Sequence, residues 1–215
     1  MTIKASKPIL YLITPGDANS ATNALSSSFK KILSQVACAT AAGIHLVQLR
    51  EKSLTTRTLF ELTERAVQLV QGTSTRILVN DRADVAKAAG AHGVHLTTQS
   101  IGAATIRRTF GEEFLIGAST HSITEATEAR DEGADFVVFG PVFPTVSKKT
   151  YGPPIGLDAL RQVSMTLDPL PVLALGGITI KNAPECLGAG ASGIAGISLF
   201  SQLDKIRSLR ATLDL

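Results

Sequence analysis

The chain is poor in aromatic residues: 215 residues include no tryptophan, two tyrosines and eight phenylalanines. Its basic residues are scattered, forming only short pairs such as Lys30-Lys31, Arg107-Arg108 and Lys148-Lys149. Few rings for base stacking and no positive stripe argue against a nucleic-acid partner. There are two cysteines, Cys38 and Cys186, far apart and both inside helical patterns. They read as small buried apolar thiols rather than a disulfide or metal pair. No His/Cys set has zinc-site spacing. No apolar run is long enough to span a bilayer, and the run at 9–14 is too short for a signal peptide and is followed by Pro15. The expectation is a cytoplasmic protein with no membrane partner. No G-x-G-x-x-G follows the first strand, no G-x-S-x-G elbow occurs, and no strand carries a central lysine of the Schiff-base kind.

What the chain has is alternation. Short apolar, β-branched runs at 9–14, 45–50, 76–80, 93–96, 114–119, 136–140, 171–176 and 193–198 read as strands. Between them lie amphipathic or alanine-rich stretches at 24–42, 55–71, 83–89, 103–110, 122–132, 157–166, 179–188 and 200–212. Gly43, Gly72, Gly90, Gly111, Gly133 and Gly190 follow helical patterns, where a left-handed cap is expected. About eight β-α units predict a (β/α)₈ TIM barrel, with a doubly wound sheet as the rival. With 44% hydrophobic residues, one core is expected, so residues 1–215 read as a single domain after a lead-in at 1–8.

The strands end in polar residues. The second ends Gln48-Leu49-Arg50-Glu51-Lys52, and period-two geometry sets Gln48, Arg50 and Lys52 on one face. The third ends Asn80-Asp81, the fifth Ser119-Thr120-His121, the seventh Gly176-Gly177 and the eighth Ile197-Ser198. These are carboxyl ends, where such barrels place their chemistry. Each has a structural alternative: Asn80 or Asp81 as a helix cap, Asp81 as an ion-pair partner of Arg82 or a lysine, Ser119 in a polar core layer. Residues 141–156 form a long segment with Thr145, Ser147 and Lys148 and no helical period, a candidate active-site loop and lid.

Arg50, Lys52 and Lys148 together call for an anionic ligand, and their charges suit a diphosphate. A carboxylate at Asp81 beside a polyanion is repulsive unless a divalent cation such as Mg²⁺ joins them. Gly176-Gly177 and 196–198 offer backbone amides for a second phosphate. The partners are therefore small phosphorylated molecules, with a homo-oligomer left open. His121, after a strand end, suits a general acid or base. His95 fits a hydrogen-bonded core position if it points inward, and His45 and His92 look structural.

The runs 47–52, 79–82, 93–96, 117–121, 140–148 and 174–178, in this order, resemble the thiamine-phosphate synthase and thiazole tautomerase superfamily. The resemblance covers residues 11 to about 200. It implies a (β/α)₈ barrel and a transferase that joins a hydroxymethylpyrimidine diphosphate to a thiazole phosphate, releasing pyrophosphate. It also implies that Gln48, Arg50, Lys52, Asn80, Ser119 and Lys148 hold the pyrimidine diphosphate and that Asp81 binds Mg²⁺. By the same resemblance Thr145, Ser147, Gly177, Ile197 and Ser198 hold the thiazole phosphate. One departure stands out: the run Thr97-Thr98-Gln99-Ser100 places Ser100 where synthases have a second metal-binding aspartate. The thiazole tautomerases also lack it and use a histidine at the position of His121, so an isomerase is the second expectation. A barrel that binds thiamine phosphate without turnover is the third.

Overall fold

The computed structural model describes residues 8–145 and 154–215. Eight parallel strands close into a barrel in sequence order: β1 (Ile9–Ile13), β2 (Leu46–Leu49), β3 (Arg76–Asn80), β4 (Gly93–Leu96), β5 (Leu115–Thr120), β6 (Phe136–Phe139), β7 (Val172–Ala174) and β8 (Gly193–Gly196). Helices α1 (Ser27–Ala41), α2 (Thr56–Val70), α3 (Ala83–Ala88), α4 (Ala103–Phe110), α5 (Ile123–Asp131), α6 (Gly156–Leu167), α7 (Ala183–Gly188) and α8 (Leu203–Thr212) follow the strands in turn. The doubly wound alternative is excluded by the pairing of β1 with β8, which leaves no edge.

The helices form where the pattern asks for them. In α2 the buried Leu59, Leu62, Ala66 and Val70 recur at helical spacing, and Thr55 Oγ1 accepts the Thr58 amide at 3.2 Å to start the helix. The six glycines expected after helices all have positive φ, between 71° and 94°.

Two apolar cores result. One lies between strands and helices; the other fills the barrel, from Ile9, Tyr11, Ile13, Leu46, Leu78, Leu115, Phe136, Val138, Leu173 and Ala195. The second set fixes which face of every strand except β4 points inward, because side chains alternate.

The amino-terminal end of the barrel is fastened by a repeated device. His45 gives its amide to the Leu10 carbonyl and takes the Leu10 amide on Nδ1, at 3.1 and 3.0 Å. His92 does the same to Ile77, and Asp135 to Ile116 through Oδ2 at 2.7 Å. Each clamp joins the residue before an even-numbered strand to the preceding odd-numbered one. Arg107 braces the third clamp, lying 2.8 Å from Asp135 and donating to the Phe114 and Gly133 carbonyls. Cys186 is buried, which raises its thiol to about 11, but Cys38 is exposed, contrary to expectation. The buried stripe of α1 runs Phe29, Ile32, Val36, Ala39, and Cys38 falls off it.

Candidate active site at the carboxyl rim

The inward faces carry the predicted residues to the carboxyl ends of the strands. Leu46 is interior, so Gln48 and Arg50 follow it on the same face; Leu78 is interior, so Asn80 follows. Ser119 follows Leu115 on β5, and Ile197 follows Ala195 beyond β8. Lys52 is exposed, and Thr145 is partly buried. Ser147 and Lys148 lie outside the described residues.

Gln48 is 2% exposed, and its Nε2 has no hydrogen-bond partner among the described residues. A buried amide donor left unpaired costs roughly 1–3 kcal/mol. Such a group beneath Arg50 on the same face is a donor awaiting an acceptor. Thr14, buried at the end of β1, accepts the Arg50 amide at 2.8 Å. The Arg50 guanidinium lies over the β1–α1 loop, 3.5 Å from the Pro15 carbonyl. That loop is itself held by Glu51, whose buried carboxylate accepts the amides of Gly16 and Ala18 at 3.2 and 3.1 Å. Thr14 and Glu51 went unnoticed in sequence because their partners are more than 30 residues away.

At Asp81 the backbone turns left-handed, with φ of 58°, while its amide still donates to the His95 carbonyl at 2.9 Å. Non-glycine residues there are held by their surroundings, often at functional sites. Asp81 caps no helix, and Arg82, although it feels the Asp81 charge, makes its direct pair elsewhere. Arg82 pairs with Asp84 at 2.6 Å, and α3 begins at Ala83 with Arg82 in the capping position and no side-chain cap. Asp81 therefore presents an exposed carboxylate beside Asn80. One carboxylate with water and ligand phosphate oxygens suits Mg²⁺, so the residues present fit that cation. Ser100 adds no strong ligand: its Oγ accepts the Thr97 amide at 2.8 Å and closes a turn. Among the described residues no three His, Cys, Asp or Glu side chains form a metal cluster.

His95 is interior, as its strand position suggested. It is 2% exposed, with Nδ1 3.1 Å from the Tyr11 hydroxyl and Nε2 2.9 Å from Ser119 Oγ. Burial lowers its pKa to about 3 and raises that of Tyr11 well above its ordinary value. Ser119 thus joins a buried polar layer from the rim side.

His121 is anchored by the start of α5. Ser122 Oγ accepts the Glu125 amide, and Glu125 Oε2 accepts the His121 amide at 2.7 Å and lies 3.2 Å from its Nδ1. The Ser-x-x-Glu spacing could have revealed this cap.

Gly177 has φ of 64°, and its carbonyl accepts Asn182 Nδ2 at 3.2 Å. A β-carbon there would stand 2.5 Å from the Pro144 carbonyl, so glycine lets the segment after β6 lie against the segment after β7. The feet of the long loop are joined: Ile155 and Gly156 donate to the Pro141 and Val142 carbonyls at 2.9 and 3.2 Å. Ser198 opens a short 3₁₀ turn, Ser198–Phe200, leaving the amides at 197–198 at the rim.

With this geometry in place, the likeness to known proteins is specific. A family model described as thiamine monophosphate synthase matches residues 10–200. The chain belongs to that family. A Geobacter sulfurreducens protein provisionally named a thiamine-phosphate synthase is 46% identical over 187 residues, 86% of this chain and 87% of that protein. The thiamine-phosphate synthase of Roseiflexus sp. (strain RS-1) is 40% identical over 163 residues, 76% of this chain and 69% of its own length. The solved thiamine phosphate pyrophosphorylase of Pyrococcus furiosus superposes with a TM-score of 0.81 at 32% identity, covering 96% of this chain and 95% of that one.

Proposed function

We propose that this chain acts as a thiamine-phosphate synthase, a transferase joining a hydroxymethylpyrimidine diphosphate to a thiazole phosphate with release of pyrophosphate. The single observation that carries the reading is the unpaired buried amide of Gln48, set on the inward face directly below Arg50. An anion with several acceptor oxygens satisfies that donor and the guanidinium together.

Two phosphate positions belong to this reading. Gln48, Arg50, Lys52, Asn80, Ser119 and Lys148 hold the diphosphate. Thr145, Ser147 and Gly177, with the amides at Ile197 and Ser198, hold the thiazole phosphate. Asp81 would hold Mg²⁺, which when bound neutralises charge growing on the departing pyrophosphate.

The reaction breaks the bond between the pyrimidine methylene carbon and the diphosphate oxygen, whose electrons leave with pyrophosphate. The thiazole nitrogen then supplies the pair for the new carbon–nitrogen bond. What this chain contributes is charge stabilisation: donors on Gln48, Arg50, Lys52 and Ser119 offered to the negative charge that develops on the leaving group. Positioning comes from Thr14 and Glu51, which fix the strand end and the loop beneath Arg50.

The test is direct. Purified protein, both heterocyclic phosphates and Mg²⁺ should release pyrophosphate in step with thiamine phosphate. Tight binding of thiazole phosphate with none of the diphosphate by calorimetry would overturn the reading in favour of thiazole tautomerisation. The His121–Glu125 contact is the observation that gives this second reading substance.

A further inference from the structure

A line of three polar side chains runs from the middle of the barrel to its rim, and only its outermost member meets the ligand under the proposed function. We infer that Tyr11, acting through His95, fixes the direction of the Ser119 hydroxyl, turning its proton toward the departing diphosphate. Tyr11 and His95 are positioning residues, and the inference rests on the assignment of Ser119 to the diphosphate.

The argument is one of hydrogen-bond direction. Tyr11 is completely buried, packed edge-on against Phe136 with ring centroids 5.6 Å apart. Among the described residues its hydroxyl has one polar neighbour, His95 Nδ1 at 3.1 Å. Two proton orders are conceivable along the line. In one, Ser119 donates to Nε2 and Nδ1–H donates to the phenol oxygen. The phenol proton then has no acceptor, which costs roughly 1–3 kcal/mol in a dry interior. In the other, the phenol donates to Nδ1, Nε2–H donates to Ser119 Oγ, and every buried proton is paired. The second order wins. It occupies a lone pair of Ser119 from below and leaves its O–H to point out of the barrel.

The neighbours support a prepared arrangement. A β-carbon at Gly117 would stand 2.8 Å from His95 Nδ1 and 2.3 Å from the Phe136 ring, so glycine makes room for the imidazole. Burial also holds His95 neutral, the state in which its two nitrogens play opposite parts. A hydroxyl free to rotate gives its proton to an anion only part of the time. One whose lone pair is occupied from behind is already a donor when charge develops, and needs no reorganisation.

Long-range proton–nitrogen correlation spectra of the unliganded full chain, with ¹⁵N-labelled histidine and the His95 signals assigned by His95→Gln, read the tautomer without any substrate. The Nε2–H form is expected, and an Nδ1–H form would overturn the inference. Tyr11→Phe keeps the ring and removes the hydroxyl; either tautomer then leaves Nδ1 unpaired, so the preference for the Nε2–H form should weaken. It should lower kcat for pyrophosphate release about tenfold, with KM for the pyrimidine diphosphate within about twofold, a smaller loss than removal of a whole donor. In the Ser119→Ala background the same change should cost nothing further. A tenfold loss in both backgrounds, or wild-type kcat in Tyr11→Phe, would show that Tyr11 does not act through Ser119. If the wild-type protein releases no pyrophosphate yet shows the Nε2–H form, the functional reading fails and the leaving-group half of the inference falls with it, while the hydroxyl direction stands.

Discussion

Gly177 faces the Pro144 carbonyl so closely that a β-carbon at residue 177 would lie 2.5 Å from the oxygen. The segment after β7 therefore packs directly against the backbone and the Phe143 β-carbon of the segment after β6. Gly177→Ala must push Pro144 away and also hold alanine at positive φ. We expect thiazole phosphate affinity to fall about tenfold or more while diphosphate binding stays near wild type, read by calorimetry with each ligand. Equal losses for both ligands would contradict the two-pocket division.

Glu51 grips two amides of the β1–α1 loop from a buried position. Glu51→Ala leaves both without that acceptor, at about 2 kcal/mol or more. Urea unfolding should show this loss. Because Gly16 lies against the Arg50 guanidinium, activity at limiting pyrimidine diphosphate should drop as well.

Arg50 and Lys148 are assigned to the departing diphosphate. Arg50→Ala and Lys148→Ala should each slow pyrophosphate release about 10²-fold, as removal of one preorganised donor does elsewhere. Normal turnover in either variant would refute its assignment.

Ser100 spends its hydroxyl on the Thr97 amide. Ser100→Asp keeps an acceptor for that turn and adds a second carboxylate at the β4 end. The concentration of Mg²⁺ giving half-maximal activity should fall. An unchanged value would place this turn away from the metal.

Three histidines are held below their ordinary pKa: His95 at about 3, chiefly by burial, and His45 and His92 by burial aided by Arg210 and Arg76. The unfolded chain binds protons at these sites near pH 6.5 and the folded chain does not, so protonation favours unfolding. Stability should be complete above about pH 7 and decline as pH falls toward 3, by up to roughly 1.4 kcal/mol per unit for a fully resisting site. His92→Asp keeps an acceptor for the Ile77 amide, as Asp135 does for Ile116, and should flatten the decline in melting temperature between pH 7 and 5.

Much of this was legible in the chain because apolar periodicity and glycine placement are local signals. All eight strands and all eight helices fall where the alternation put them, and the six glycines after helices take the conformation their place implies. Five strands (β1, β2, β6, β7 and β8) end earlier than their apolar runs, while β3 and β4 end with them and β5 runs one residue further; β7 stops at Ala174 because Gly176 and Gly177 turn left-handed. Long-range register was illegible. Nothing local says that the His45 imidazole will receive the Leu10 amide, or that Thr14 will receive that of Arg50. The left-handed backbone at Asp81 was hidden too, since it depends on the His95 carbonyl of the next strand.

The clamps of His45, His92 and Asp135 sit at the opposite end of the strands from the carboxyl rim. Three of the eight seams are thus fastened at the end away from the proposed site. Loops at the carboxyl rim can lengthen, shorten or exchange side chains without loosening these three fastenings, so the proposed site can change locally while this part of the scaffold stays as it is.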